Sequence, residues 1–167
     1  MTDPGNVIAL PDLEARFPYM FTDERLRHRG IGCYRGWLSI LTRTCEKIDV
    51  ALGDDRRNFH WTHIGEKYGS ACLRYVIGSV TSKEVDVGKP GQPLRIPVDR
   101  APSEPVVVAV ASIVSKAVEA TRTTCCVCGA AAAARPRLRR RISPTLCVMH
   151  SADPAWLSAA RIENSHG

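Results

Sequence analysis

The chain has 167 residues, enough for one compact domain or for a small domain that carries a metal-held appendage. Apolar residues make up 44% and charged residues 24%, which points away from both a disordered and a membrane-embedded chain. The formal charge of +6 is unevenly spread: the stretch from Cys125 to His150 holds Arg135, Arg137, Arg139, Arg140 and Arg141 with no Asp or Glu, leaving the remainder nearly neutral.

Residues 1–6 show no basic region followed by an apolar stretch, so no secretory signal is expected. The longest apolar run, Val106 to Ala111, is far shorter than the roughly 20 residues that span a bilayer, and a cytoplasmic protein with no membrane partner is expected. Seven cysteines in a reducing compartment argue against a disulfide framework. Cys33, Cys45 and Cys72 lie among apolar residues and read as buried small hydrophobes.

Leu10 to Phe21 reads as a short helix with Leu13, Phe17 and Met20 on one side, followed by a turn and a short polar segment. Gly36 to Leu52 reads as a longer helix: Trp37, Leu38, Leu41, Cys45, Ile48 and Leu52 recur at helical spacing, while Ser39, Arg43, Glu46 and Lys47 face away. From His60 to Val80, aromatic and β-branched residues predict a hairpin or a pair of strands, with Tyr68-Gly69-Ser70 as the turn and Leu73, Tyr75 and Ile77 alternating after it. The proline-rich stretch from Ser82 to Pro105 predicts a long loop with at most a short edge strand near Leu94 to Val98. A helix capped by Ser103, with Pro105 in its first turn, then presents Val106, Val110, Ile113, Val114, Ala117 and Val118, and ends near Thr124. After His150, Ser151 is expected to cap a last short helix over Pro154 to Ile162.

The strongest chemical signal is the pairing of Cys125-x-x-Cys128-Gly129 with Cys147-x-x-His150. Two ligands two residues apart on a tight turn can both reach one tetrahedral ion, and the 18 residues between the pairs match a zinc ribbon. Cys125, Cys128, Cys147 and His150 are therefore the expected ligands of one structural Zn2+, and Cys126 is a bystander. Four protein ligands leave no open position for catalytic water.

Other constellations carry less. His60, His63 and Glu66 lie close in sequence, but strand geometry would send the two histidines to opposite faces. Asp54, Asp55, Arg56 and Arg57 read as a charged loop. No phosphate loop, nucleophile triad or paired-carboxylate motif appears, and no enzyme is expected. Arg135, Arg137, Arg139, Arg140 and Arg141 offer guanidiniums that suit phosphate or carboxylate, so nucleic acid or an acidic protein face is the expected partner. That stretch has no aromatic residue, which argues against base stacking there.

In order along the chain, Phe17-Pro18-Tyr19-Met20-Phe21, Gly36-Trp37 with Leu41 to Ile48, Glu66-Lys67-Tyr68-Gly69, Leu73-Arg74-Tyr75 and the terminal Cys/His pairs resemble a family of uncharacterised bacteriophage and prophage zinc-ribbon proteins. In this chain Gly65 stands where that family usually has Lys, two extra residues separate Gly69 from Leu73, and the loop from Ser82 is long. The resemblance implies a phage setting and a bacterial host cytoplasm. The expected fold class is α+β, with a helix and hairpin domain over 1–124 and a zinc ribbon with a short helix over 125–167. Two functions follow as expectations: a module that binds nucleic acid or a host nucleoprotein complex, or a host-directed inhibitor such as an anti-CRISPR protein acting through protein contacts.

Overall fold

The computed structural model describes residues 9–78, 103–133, 144–151 and 155–163. The proline-rich loop with its expected edge strand, and the run from Arg135 to Arg141, lie outside the described residues. The fold class is α+β, with five α-helices and two two-stranded antiparallel sheets among the described residues.

Helix α1 (Leu10–Arg16) opens with Pro11 in its first turn, and Asp12 reaches back to accept the Ala9 N–H at 3.3 Å. Its expected continuation to Phe21 breaks at Phe17, because the following Pro18 disfavours helical backbone before it. A 3-10 turn (Pro18–Phe21) then brings Met20 back to the side that buries Leu13 and Phe17. The polar segment after it forms α2 (Glu24–Arg29), which buries Leu26.

Strand β1 (Gly32–Tyr34) leads through a 3-10 turn (Arg35–Trp37) into α3 (Leu38–Leu52). The helix buries Leu38, Leu41, Cys45, Ile48 and Leu52 and exposes Ser39, Arg43 and Lys47, as the spacing predicts. Glu46 pairs with Arg16 at 2.8 Å, tying α3 to α1. Asp49 takes the Arg56 guanidinium on both oxygens, at 2.7 and 3.0 Å, and also accepts the Tyr19 hydroxyl at 2.8 Å. Arg56 lies in the 3-10 segment Gly53–Asn58, so the charged loop is also a strap across the end of α3.

Strands β2 (Phe59–Lys67) and β3 (Ser70–Ile77) form the expected hairpin, with Lys67 opposite Ser70. Its turn has two residues, Tyr68 and Gly69, at φ of 54° and 82°, the left-handed geometry that matches the twist of the strands. A bulge lies between Trp61 and His63, so the buried Trp61 and Ile64 are three residues apart rather than two. Strict alternation fails there, and the premise that His60 and His63 face opposite sides fails with it.

Helix α4 (Glu104–Thr121) begins after Ser103, whose carbonyl rather than hydroxyl accepts the Val106 and Val107 N–H groups at 3.0 and 3.2 Å. It buries Val110, Val114 and Ala117 against α3 and β3. The Thr121 hydroxyl accepts the Ala71 N–H at 2.9 Å and donates to the Val118 carbonyl at 2.7 Å, joining the helix end to the hairpin. Trp37, Trp61 and Phe59 are the largest fully buried side chains, with Phe59 and Trp61 edge to face at 5.0 Å.

The C-terminal segment differs from its expected course. Helix α5 (Ala155–Ala160) stops short of Ile162, and β4 (Arg161–Glu163) pairs antiparallel with β1, placing Ile162 opposite Cys33. The Ser151 hydroxyl donates to the Val148 carbonyl at 2.9 Å, and residues 152–154, across which it was expected to cap that helix, lie outside the described residues. Among the described residues no helix is long and apolar enough to cross a membrane.

Candidate metal centre

Past α4 the chain makes a narrow turn. Thr124 bridges Ala131, the Ala132 N–H donates to Thr123 O at 2.9 Å, and the Cys125 N–H donates to Ala130 O at 2.8 Å. Cys125 and Cys128 stand at its tip, closed by the Gly129 N–H on Cys125 O at 2.9 Å. Gly129 is required twice over: its φ is +77°, and a Cβ there would lie 2.9 Å from the Gly36 carbonyl oxygen.

The second ligand pair sits on a turn closed by His150 and Ser151 N–H groups, which both donate to Cys147 O, at 3.1 and 3.0 Å. Thr145, just before it, accepts the Cys126 N–H at 2.9 Å and donates its hydroxyl to Arg122 O at 2.7 Å. The two turns are thus bonded to each other through backbone as well as through any shared ion.

The first turn rests on the entry to α3. The Gly36 N–H donates to Cys126 O at 2.8 Å, and Trp37 Nε1 donates to Thr124 O at 3.2 Å. A Cβ on Gly36 would fall 2.3 Å from Cys125 O, so only glycine permits this approach. Cys125, Cys126 and Val127 are buried in the same core as Trp37.

The side chains of Cys125, Cys128, Cys147 and His150 converge, with all four ligand atoms within 4.8 Å of one another. An ion with metal–sulfur bonds of about 2.3 Å and metal–nitrogen bonds of about 2.1 Å implies tetrahedral edges of roughly 3.8 Å between sulfurs and roughly 3.6 Å from sulfur to nitrogen. The Cys128–Cys147 sulfurs are 3.8 Å apart, and His150 Nδ1 lies 3.6 Å from Cys125 Sγ and 3.2 Å from Cys147 Sγ. This group can bind a metal ion, through Nδ1 of the imidazole. Cys126 is outside the group and fully buried.

Burial works against ionising the Cys125 thiol, yet backbone groups of Cys128, Cys147 and Val127 directed at it prevail and lower its pKa to about 6. Burial and the neighbouring Cys125 and Cys147 thiols raise that of Cys128. Thiolate charge is therefore favoured first at the buried ligand. Burial is the main cause that pushes Cys33 and Cys45 up to about 12, with the Glu46 charge adding at Cys45, so both thiols stay neutral. Cys72 is only half-buried, on β3.

His60, His63 and Glu66 are engaged elsewhere. His60 Nε2 lies 3.3 Å from an Asp23 carboxylate oxygen, and Glu66 accepts the Gly69 N–H at 2.7 Å, bracing the hairpin turn. The His63 ring occupies the space beside Gly65, where a Cβ would sit 2.8 Å from its Nε2. Sequence reasoning missed Trp156, whose indole meets the His150 ring edge to face at 5.2 Å while remaining 44% exposed. The only signal was an aromatic residue shortly after a ligand. No family model, no curated protein and no solved structure matches the chain.

Proposed function

We propose that the protein is a non-enzymatic phage or prophage accessory module, built on one structural Zn2+, that engages nucleic acid or a nucleic-acid-bearing host complex through its arginine run. Three thiolates and one imidazole in tetrahedral array suit zinc, and four protein ligands leave it a folding role. The reduced cytoplasm of a bacterial host would preserve those thiolates.

The observation that carries the reading is the 3.8 Å separation of the Cys128 and Cys147 sulfurs. It brings together both ends of a segment that contains Arg135, Arg137, Arg139, Arg140 and Arg141 and no acidic residue. Anchoring both ends lowers the entropy lost when such a segment meets a polyanion. Fluorescence anisotropy of labelled duplex and single strands across a salt series tests it. A variant with Arg137, Arg139, Arg140 and Arg141 all changed to Ala should keep its zinc and its melt, and its salt slope should fall by about one unit for each phosphate it no longer neutralises. No binding by the native chain at low salt refutes the reading.

A second reading, a host-directed inhibitor such as an anti-CRISPR or other anti-defence protein, is favoured by a different feature. A groove of about 330 Å³ between α3 and α4 has Ile40, Ile113 and Ala117 along it and Arg43, Lys47 and Lys116 at its rim. None of these three cations pairs with a carboxylate among the described residues, which suits an acidic, partly apolar protein face.

A further inference from the structure

Three exposed apolar side chains lie within the second ligand turn or shortly after it in the chain. Val148 is 89% exposed, Met149 82% and Trp156 44%, whereas the other two tryptophans, Trp37 and Trp61, are 1% and 0% exposed. Val148 and Met149 are consecutive on this turn, and Trp156 of α5 meets the ring of its last ligand, His150. The turn is ordered by the His150 and Ser151 N–H bonds to Cys147 O. Trp156 is set against the imidazole whose Nδ1 faces the cysteine sulfurs, so an ion held by His150 would steady the indole as well.

We infer that Trp156, with Met149 beside the His150 ligand, is a stacking platform for an unpaired nucleobase, and that the nucleic acid bound is single-stranded. The inference rests on the nucleic-acid reading above and specifies its substrate. An indole with exposed surface can stack on any unpaired base, while a duplex keeps its base faces inside its own stack. Charge complementarity supports this occupant over an apolar protein: the chain between Cys128 and Cys147 carries five arginines and no acid, so the strand that supplies the base also supplies phosphates to the same module. The lack of aromatics within the arginine run is thereby met from outside it, by a residue beyond the last metal ligand.

The zinc-loaded full chain is titrated with a labelled thymidine oligonucleotide and with a duplex of equal length, reading label anisotropy and tryptophan fluorescence together. Because Trp37 and Trp61 are buried, quenching reports Trp156. The single strand should quench and the duplex should not. Trp156→Ala should weaken single-strand binding by about 5- to 150-fold, the range for losing one stacked base, with duplex affinity and salt slope unchanged. Trp156→Phe should recover most of the loss. Trp156→Leu keeps apolar bulk against His150 and should bind as weakly as the Ala variant while retaining zinc, which separates stacking from damage to the metal site. If single strands bind without quenching, or if the Leu variant binds as tightly as native, the stacking inference is overturned while the arginine reading stands. If neither nucleic acid binds at low salt, the arginine reading fails and takes this inference with it.

Discussion

Replacing Gly36 with Ala would place a methyl group 2.3 Å from Cys125 O and 2.7 Å from both the carbonyl carbon and oxygen of Cys126. All three are backbone atoms, so no side-chain rotation relieves the clash; either the start of α3 or the Cys125–Cys128 turn must move. Overpacking of this kind costs about 1–3 kcal/mol. Losing the 2.8 Å Gly36 N–H bond to Cys126 O adds about 0.5–1.5 kcal/mol. Together the loss is about 1.5–4.5 kcal/mol, which for a chain of this size lowers the melt by roughly 3–18 °C. If the turn yields instead of the helix, the cost appears as weaker metal binding, about tenfold for each 1.4 kcal/mol. Thermal melts of the metal-loaded protein by circular dichroism, with chelator competition on the same samples, measure both shares. The exposed control Ser39→Ala on α3 should change neither. A Gly36→Ala protein that melts within about 1 °C of native and holds metal as tightly would refute the docking of the metal turn on this helix.

Trp37→Ala should destabilise the protein by roughly 3–5 kcal/mol in a denaturant titration, because it empties a site that is 1% exposed and leaves Thr124 O without its donor; an unchanged midpoint would show the indole is not core. Tyr68→Asn should stabilise by about 0.5–1 kcal/mol, since Asn tolerates the φ of 54° better than Tyr at the first turn position, and a lowered melt would contradict the assigned turn. Alkylation at pH 8 followed by mass mapping should leave Cys33 and Cys45 unmodified in native protein: burial raises both to about 12, so each thiol is overwhelmingly protonated well below that value. Modification of either at the rate of a free thiol would overturn that burial.

What the sequence discloses here is what local spacing encodes. The apolar rhythm of α3, the hairpin on either side of Tyr68 and Gly69, the face of α4 and the two ligand pairs each depend on residues a few positions apart, and each is found where the spacing places it. Pairings across long stretches of chain leave no such trace. Three residues of β4 hold no strand signal of their own and are extended because β1 offers them an edge. Gly36 and Trp37 read as the start of a core helix, and nothing local reveals that both bond to the backbone around Cys125. The bulge at β2 is equally silent, since one unpaired residue changes which side chains share a face without changing composition. Trp156 carries no such signal for a similar reason: its partner is the imidazole of a metal ligand, a contact that no periodicity encodes.

One metal ion held by Cys125, Cys128, Cys147 and His150 is the central claim, and elemental analysis of freshly purified protein alongside single variants tests it most directly. The native chain should contain about one equivalent of zinc, and Cys128→Ser or Cys147→Ser should lose it and loosen the segment from Cys125 to His150, because an ion bound only by the folded site would add its binding energy to folding. Cys126→Ser should retain the zinc while lowering the melt, since it puts a hydroxyl at a fully buried core position outside the ligand group. Native protein without zinc, or full zinc retained in both the Cys128→Ser and Cys147→Ser proteins, would contradict that claim.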